Sequence, residues 1–361
     1  MKRVDALLAS SVGTVAPLLR LEVMHHGHHV YSGGNAPADL AFDLASVTKV
    51  VATTSLLLEL GLPLDTRLPS LVPGACDCTL DDLARHRSGL TPFKPFFADE
   101  LTARPELFDA SCPAPVRDLV RRQVIARVAN TPADVPPRQR MAYSDLGFIL
   151  LGAALEAHAG QPLDRLFTER VAQPLGLSAR YRRLSAPLAG ALPAATGATR
   201  PREPAPGQQG MWAVAERPTR HGEVDDDNAW VMDGVSGHAG LFGTALDVAR
   251  FGQAVLEGRV ARSPTPWAPD PLVPGSTRAL GFDTPSLDAP SCGTRFGRAG
   301  PQGAIGHLGF TGTSLWIDLD RALVVALLTN RVALGRANLA IRELRPRVHD
   351  AILDEVEPSH G

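Results

Sequence analysis

The chain is poor in lysine, cysteine and aromatic residues, and each shortage narrows what it can be. Lysine occurs three times, at Lys2, Lys49 and Lys94; every other fixed cation is arginine. The four cysteines, Cys76, Cys78, Cys112 and Cys292, are too few for a disulfide framework. Cys76 and Cys78 stand too close for an easy mutual bridge, and no second half-site completes a zinc set, so free thiols are expected. A formal net charge of -2 leaves no basic excess to neutralise phosphates, which argues against a nucleic-acid partner. The longest apolar runs, residues 50–60 and 323–328, fall short of the roughly 20 residues a membrane-spanning helix needs, and no membrane span is expected. Met1-Lys2-Arg3 imitates the start of a secretory leader. Asp5 follows at once, however, and the apolar stretch 6–12 is short and carries serines; an amphipathic first helix and a cytoplasmic location are expected. No Gly-x-Ser-x-Gly elbow and no glycine-rich phosphate loop is present, which excludes the α/β-hydrolase and nucleotide-binding readings.

What remains has the composition of a globular protein, 44% hydrophobic and 20% charged. Residues 4–11 read as a helix, and 18–24 and 29–32 as strands. The run His25-His26-Gly27-His28-His29 lies between them. Neighbouring side chains on a strand point to opposite faces, so these histidines read as a hairpin turn and not as a metal site. After 41–46 comes a strongly apolar helix, 47–60, stopped by Gly61 and Pro63. Thr79 caps a helix over 79–86, with Asp81 and Asp82 in its first turn.

The middle of the chain is rich in Ala, Leu, Arg and Pro. It has helical periodicity over 116–128, 145–159 and 163–171, then proline-bearing loops at Pro187, Pro193, Pro201, Pro204 and Pro206. A helix is expected over 246–256, a proline-rich loop over 263–274, and strands over 279–283, 304–308, 313–318 and 322–328. Asp320-Arg321 turns between the last two. A final helix, 337–355, should kink or split at Pro346. Strands thus lie at both ends and helices between. The expected fold is α/β (α+β): an antiparallel sheet flanked by N- and C-terminal helices, with an inserted, mostly helical lobe. Residues 1–60 with 245–361 would form the sheet lobe and 61–244 the helical lobe, one continuous catalytic unit with a cleft between.

The chemistry centres on Ser46-Val47-Thr48-Lys49, at the mouth of the buried helix. Residues i and i+3 share a helix face, so Ser46 Oγ and Lys49 Nζ can meet. A serine hydroxyl needs a base. A lysine serves only if burial lowers its pKa, and an arginine cannot deprotonate at all. The bare tetrapeptide is a common N-cap pattern, but a lone lysine in an arginine-using chain, followed by Val50, Val51 and Ala52, does not sit on a polar face. Tyr143-Ser144-Asp145 opens a second helix, either as a plain helix start or with the Tyr143 hydroxyl beside Ser46. His307-Leu308-Gly309 ends a strand running into Phe310-Thr311-Gly312-Thr313. There Gly309 permits close backbone approach and the Phe310 N–H can donate to an oxyanion. Asp225-Asp226-Asp227 reads as a solvated acidic turn, with a cleft-lining loop as the alternative, and His238 as a turn residue.

The order Ser-x-x-Lys, Tyr-x-Asp, His-x-Gly resembles the serine β-lactamase and penicillin-binding protein superfamily, most of all the class C β-lactamase-related branch with its esterases and D-amino-acid peptidases. Residues 42–49 (Phe-Asp-Leu-Ala-Ser-Val-Thr-Lys) are similar to that branch's first motif. Leu83-Ala84-Arg85-His86-Arg87-Ser88-Gly89-Leu90 resembles its His-Thr-Ser-Gly-Leu segment, with Arg87 where threonine is usual. Residues 237–242 and 309–313 match it too. The resemblance implies that Ser46 is acylated, that Lys49 and Tyr143 share the proton transfers, and that the N–H groups of Ser46 and Phe310 form the oxyanion hole. His307 would stand where relatives carry lysine or histidine, and Asp145 would replace an asparagine and could pair with Lys49. No cofactor and no metal is expected. Leu308 lacks the hydroxyl that helps hold a substrate carboxylate, and Asp145 would repel one. The expected activity is therefore esterase, on a small-molecule ester, amide or peptide substrate. D-alanyl-D-alanine carboxypeptidase, D-aminopeptidase or β-lactamase activity, and a non-turnover penicillin-binding sensor, are the alternatives.

Overall fold

The computed structural model describes all residues except 110, 188–192, 197–220, 262–264, 289, 298–301 and 358–361. Pro201, Pro204 and Pro206 therefore lie outside the described residues.

Among the described residues eight strands form two sheets: β1 (Leu19–His25), β2 (His28–Gly34), β3 (Phe42–Asp43), β4 (Arg180–Tyr181), β5 (Leu241–Gly243), β6 (Ala304–Leu308), β7 (Ser314–Asp318) and β8 (Leu323–Thr329). Five of them make an antiparallel sheet in the order β2-β1-β8-β7-β6, and β3-β5-β4 make a small second one. The pairing of β1 with β8, from Leu19 opposite Thr329 to His25 opposite Leu323, joins the two ends of the chain in the middle of the sheet.

The reason is legible in β8. All seven residues of Leu-Val-Val-Ala-Leu-Leu-Thr are buried, as a strand covered on both faces requires. The two-residue period sends Leu323, Val325 and Leu327 to one core, with Val4, Leu8, Leu344, Val348 and Ile352. Val324, Ala326 and Leu328 go to the other, with Val248 and Phe251. The first core lies under helices α1 (Lys2–Ser11) and α11 (Ile341–Val356), and the second under α10 (Ala245–Leu256). Helix α10 comes so close that a Cβ on Gly252 would lie 2.4 Å from Val324 Cγ1.

The remaining helices are α2 (Ser55–Glu59), α3 (Leu80–Ala84), α4 (Phe96–Ala103), α5 (Ala114–Ala129), α6 (Asp145–Ala159), α7 (Leu163–Phe167), α8 (Gln173–Leu175) and α9 (Asp227–Val231). Thr79 caps α3 through a reciprocal capping box with Asp82, Ser144 caps α6 by accepting the Gly147 N–H, and Gly160, with φ of 64°, ends α6.

Several expectations are corrected. The helix expected over 47–60 is composite: a 3-10 turn (Ala45–Val47), a π turn (Lys49–Thr54), then α2. Thr54 Oγ1 donates to Lys49 O at 2.8 Å and Ser55 Oγ to Val50 O at 2.9 Å. These hydroxyls take carbonyls five residues back and so accommodate the wider turn. A second π turn, Thr168–Ala172, interrupts the helix expected over 163–171. The stretch 279–283 is not a strand. Gly281, at φ of 73°, reverses the chain, and only Asp283 pairs with the sheet edge, exchanging backbone bonds of 2.8 and 2.9 Å with Gly306. Helix α11 starts at Ile341 and continues through Pro346. Helices α4 and α9 add to the elements expected from the sequence.

Candidate active site

Ser46 sits half-buried on the 3-10 turn that follows β3. The preceding residue, Ala45, has φ of 47°, a left-handed conformation that costs a residue with a Cβ free energy. Asp43 holds it there: Oδ1 accepts the Ala45 N–H at 2.9 Å, and Oδ2 accepts the Asp225 N–H at 2.7 Å. Burial pushes the Asp43 carboxyl up to about 7, against the lowering effect of those two backbone bonds.

Lys49 is fully buried, and its Nζ donates to Ser46 Oγ at 3.0 Å, Asp145 Oδ1 at 2.8 Å and His238 O at 3.0 Å. Three acceptors for three N–H groups suit an ammonium. Two of them, the carboxylate and the carbonyl, can only accept. When the amine is neutral they retain its two N–H groups, and the one lone pair is left for Ser46. Burial works to lower the Lys49 pKa, but the Asp145 charge, Tyr143 and the hydrogen bonds to both outweigh it, so the net displacement is upward. The expectation that burial would lower this pKa is corrected: Asp145, which closes the pair from the first turn of α6, reverses the sign. That pairing, which the sequence allowed, also satisfies Asp145, so its charge is balanced by Lys49 and the repulsion of a substrate carboxylate expected from it is weakened.

Tyr143 precedes α6 with Lys49 Nζ 5.0 Å from its ring centroid on one side and the Arg278 guanidinium carbon 5.1 Å away. His86 lies 4.5 Å and His307 5.9 Å from the same ring, centroid to centroid. Both histidines are buried and held well below the ordinary value, first by burial and then by nearby cations, Arg278 and Lys49 among them. His307 Nδ1 lies 2.9 Å from Leu308 O, which can only accept, so the proton is on Nδ1 and Nε2, which has no hydrogen-bond partner among the described residues, is an acceptor. His86 is the opposite tautomer: its Nδ1 accepts the Ser144 N–H at 3.0 Å.

The turn after β6 is bound to the nucleophile's own segment. Thr311 Oγ1 donates to Asp43 O at 2.8 Å and Thr313 Oγ1 to Leu44 O at 2.9 Å. Gly309 has no room for a side chain, since a Cβ there would lie 1.9 Å from Thr313 Oγ1 and 2.7 Å from Leu44 O. All seven residues expected at the site, Ser46, Lys49, Tyr143, Asp145, His307, Gly309 and Phe310, are thus gathered around one point.

Two cavities open beside Ser46. A larger one of about 670 Å³ is lined by Tyr143, His307, Leu308, Phe310, Leu339 and Ile341 together with Arg278, Arg331, Arg342 and Arg345. A smaller one, of about 30 Å³, is lined by Asp145, Asp225, Asp226 and Asp227 with Arg336. The acidic run is therefore a cleft wall and not a solvated turn: Arg336 pairs with Asp225 and Asp227, and His238 Nε2 lies 2.9 Å from Asp226 Oδ1. His238 is a buried joint, with its carbonyl on Lys49 and its ring on Asp226 and Ser236.

Sequence reasoning did not place His86, Arg278, Arg331, Arg336 or Arg345 at the site. Only His86 carried a signal, as part of the 83–90 segment. Its neighbour Arg87 explains the departure from threonine there: the buried guanidinium bonds to Asp81, Asp82 and Asp270. Among the described residues no cluster could hold a metal ion and no helix is long and apolar enough to cross a membrane.

A Ser-x-x-Lys pair with a buried lysine, set between an antiparallel sheet and a helical segment, defines a serine hydrolase of the β-lactamase and penicillin-binding protein type. The chain matches the Beta-lactamase family across residues 5–346 and belongs to it. It is 31% identical over 319 residues to the N-acetylmuramyl-L-alanine amidase of Bacillus subtilis (strain 168), covering 80% of this chain and 68% of that protein. It is 29% identical over 317 residues to a protein of Escherichia coli (strain K12) provisionally named a D-alanyl-D-alanine carboxypeptidase, covering 80% and 69%. Among solved structures it shares the fold of EstCE1, a hydrolase with promiscuous acyltransferase activity, with a TM-score of 0.65 at 19% identity, covering 96% of this chain and 98% of that one.

Proposed function

We propose that the chain hydrolyses small acyl esters through an acyl-enzyme on Ser46. The observation that carries this reading is the placement of Lys49 Nζ, 3.0 Å from Ser46 Oγ, with Asp145 Oδ1 and His238 O as its other acceptors at 2.8 and 3.0 Å and Tyr143 beside it. In its neutral form Lys49 takes the hydroxyl proton as Ser46 Oγ bonds to the substrate carbonyl carbon. The carbonyl electron pair moves to oxygen, where the N–H groups of Ser46 and Phe310 receive it. The tetrahedral adduct then collapses, the bond to the leaving oxygen breaks, and that oxygen takes the proton from Lys49 by way of the Tyr143 hydroxyl. Water repeats the sequence on the acyl-enzyme, with Ser46 Oγ leaving. The lining of the larger cavity by Leu308, Phe310, Leu339 and Ile341 supports an apolar acyl or alcohol portion.

A second reading is favoured by Arg278. Its guanidinium lines the same cavity over Tyr143 and is answered only by Asp283, 3.5 Å away, among the described residues. With Arg331, Arg342 and Arg345 on the same cavity against the carboxylates of Asp145 and Asp283, the lining is positive on balance, which suits a substrate with a carboxylate, as in the carboxypeptidase-type reaction for which the Escherichia coli relative is named.

The test is a panel of p-nitrophenyl esters, D-alanyl peptides and a cephalosporin, run beside fluorophosphonate labelling mapped to the modified peptide. The ester reading expects label on Ser46 and ester turnover that Ser46→Ala abolishes. Release of D-alanine at higher kcat/KM than ester cleavage supports the second reading. Labelling of Ser46 without turnover of any substrate indicates a sensor, and equal ester turnover by wild type and Ser46→Ala overturns the assignment.

A further inference from the structure

Arg345, on α11, is 5% exposed, and no carboxylate pairs with it among the described residues. Such a buried, unpaired guanidinium is costly unless its position is used. Its Nη2 donates to Gly309 O at 3.0 Å and to Thr313 O at 2.7 Å. These carbonyls end the turn that carries Phe310, which the Gly309 N–H closes onto Thr313 O at 2.7 Å.

The Gly309 carbonyl and the Phe310 N–H are the two poles of a single peptide group. Withdrawing electron density at the oxygen strengthens the N–H as a donor, because the amide is conjugated. A charged donor does this more strongly than a neutral one. The other bond on that carbonyl comes from the neutral Gly312 N–H, at 3.1 Å.

We propose that Arg345 is a positioning residue for the hydrolysis: by donating to the Gly309 carbonyl it orients and polarises the Phe310 N–H that receives the oxyanion. This rests on the acyl-enzyme reading above. Arg331 supplies an internal comparison. Its Nε donates to Phe310 O at 2.6 Å, a carbonyl of the next peptide, so it steadies the same turn without acting on the oxyanion donor's own peptide.

The experiment compares an oxo ester with its thiono analogue, in which sulfur replaces the carbonyl oxygen and gains much less from an oxyanion hole. Arg345→Met should lower kcat on the oxo ester by about 10- to 100-fold with KM within about threefold, and slow the thiono ester far less. Arg345→Lys, which keeps a cation but lacks the planar guanidinium that aims Nη2 at both carbonyls, should fall between wild type and Arg345→Met. Arg331→Met should slow both esters alike. Equal slowing of both esters by Arg345→Met and Arg345→Lys, or no slowing, overturns the proposal. Should Arg345→Met fail to fold, the oxo-to-thiono ratio of Arg345→Lys decides alone: a reduced ratio supports the proposal and an unchanged one overturns it. Ser46→Ala separates the two levels. If it retains oxo ester turnover, the acyl-enzyme reading fails; if it is inactive while the Arg345 ratios stay at the wild-type value, only the role of Arg345 fails.

Discussion

The Oδ1 of Asp145 lies 2.8 Å from the Nζ of Lys49, and this one contact sets the resting charge of the site. Lys49 rests as an ammonium although it is fully buried, because the Asp145 carboxylate and Tyr143 outweigh desolvation. The reactive amine is then the minor species at neutral pH, and its population grows as pH rises. The kcat/KM for an ester should therefore climb towards alkaline pH. Asp145→Asn removes the charge that holds the proton, so the rising limb should move to lower pH, measured as a pH–rate profile. An unmoved limb would show that Lys49 is not the titrating base.

Lys49→Arg should abolish activity, with at least about a 10³-fold loss of kcat, since a guanidinium cannot accept the serine proton. Single-turnover labelling of Ser46 by a fluorophosphonate reads this directly, and retained labelling would remove Lys49 from the base role.

Gly309→Ala should lower kcat by about 10²-fold, because the added methyl meets Thr313 Oγ1 and Leu44 O and must displace the Phe310 N–H from the oxyanion position. Burst kinetics with a p-nitrophenyl ester would locate the loss in acylation.

Arg87→Thr installs the residue usual in relatives, yet it should destabilise the fold by about 3 to 5 kcal/mol. It strands Asp270, which is buried, and removes one partner each from Asp81 and Asp82. Urea denaturation of both proteins checks this, and an unchanged midpoint would contradict it.

The buried histidines set an acid limit on stability. Burial lowers His349 to about 4. Between the ordinary value near 6.5 and about 4, the unfolded chain binds a proton that the folded chain refuses, so stability falls as pH falls through that window and levels off below it. His86 and His307 are lowered in the same direction. His349→Phe, which keeps a ring against Phe296 at a site where the present centroids are 5.3 Å apart, should flatten part of that slope in urea midpoints measured across pH. An unchanged slope would show that His349 does not titrate on unfolding.

Much of this molecule is written in local patterns. The caps at Thr79 and Ser144 and the spacing of Ser46 and Lys49 each rest on interactions within a few residues, and each is found in the structure. The misreadings have equally local causes. The Thr54 and Ser55 hydroxyls accommodate a π turn where a plain helix is expected, and Gly281 folds back what reads as a strand.

The sequence by itself determined the serine, its lysine and the strands that frame them, because covalent spacing and side-chain period suffice for those. Only the tertiary structure decided the charge states. Asp145 is 96 residues from Lys49, Arg345 is 36 from Gly309, and Arg87 is 183 from Asp270. The balance of electrostatic interactions depends on distances in space between groups far apart in the chain, which patterns along the chain suggest but do not measure.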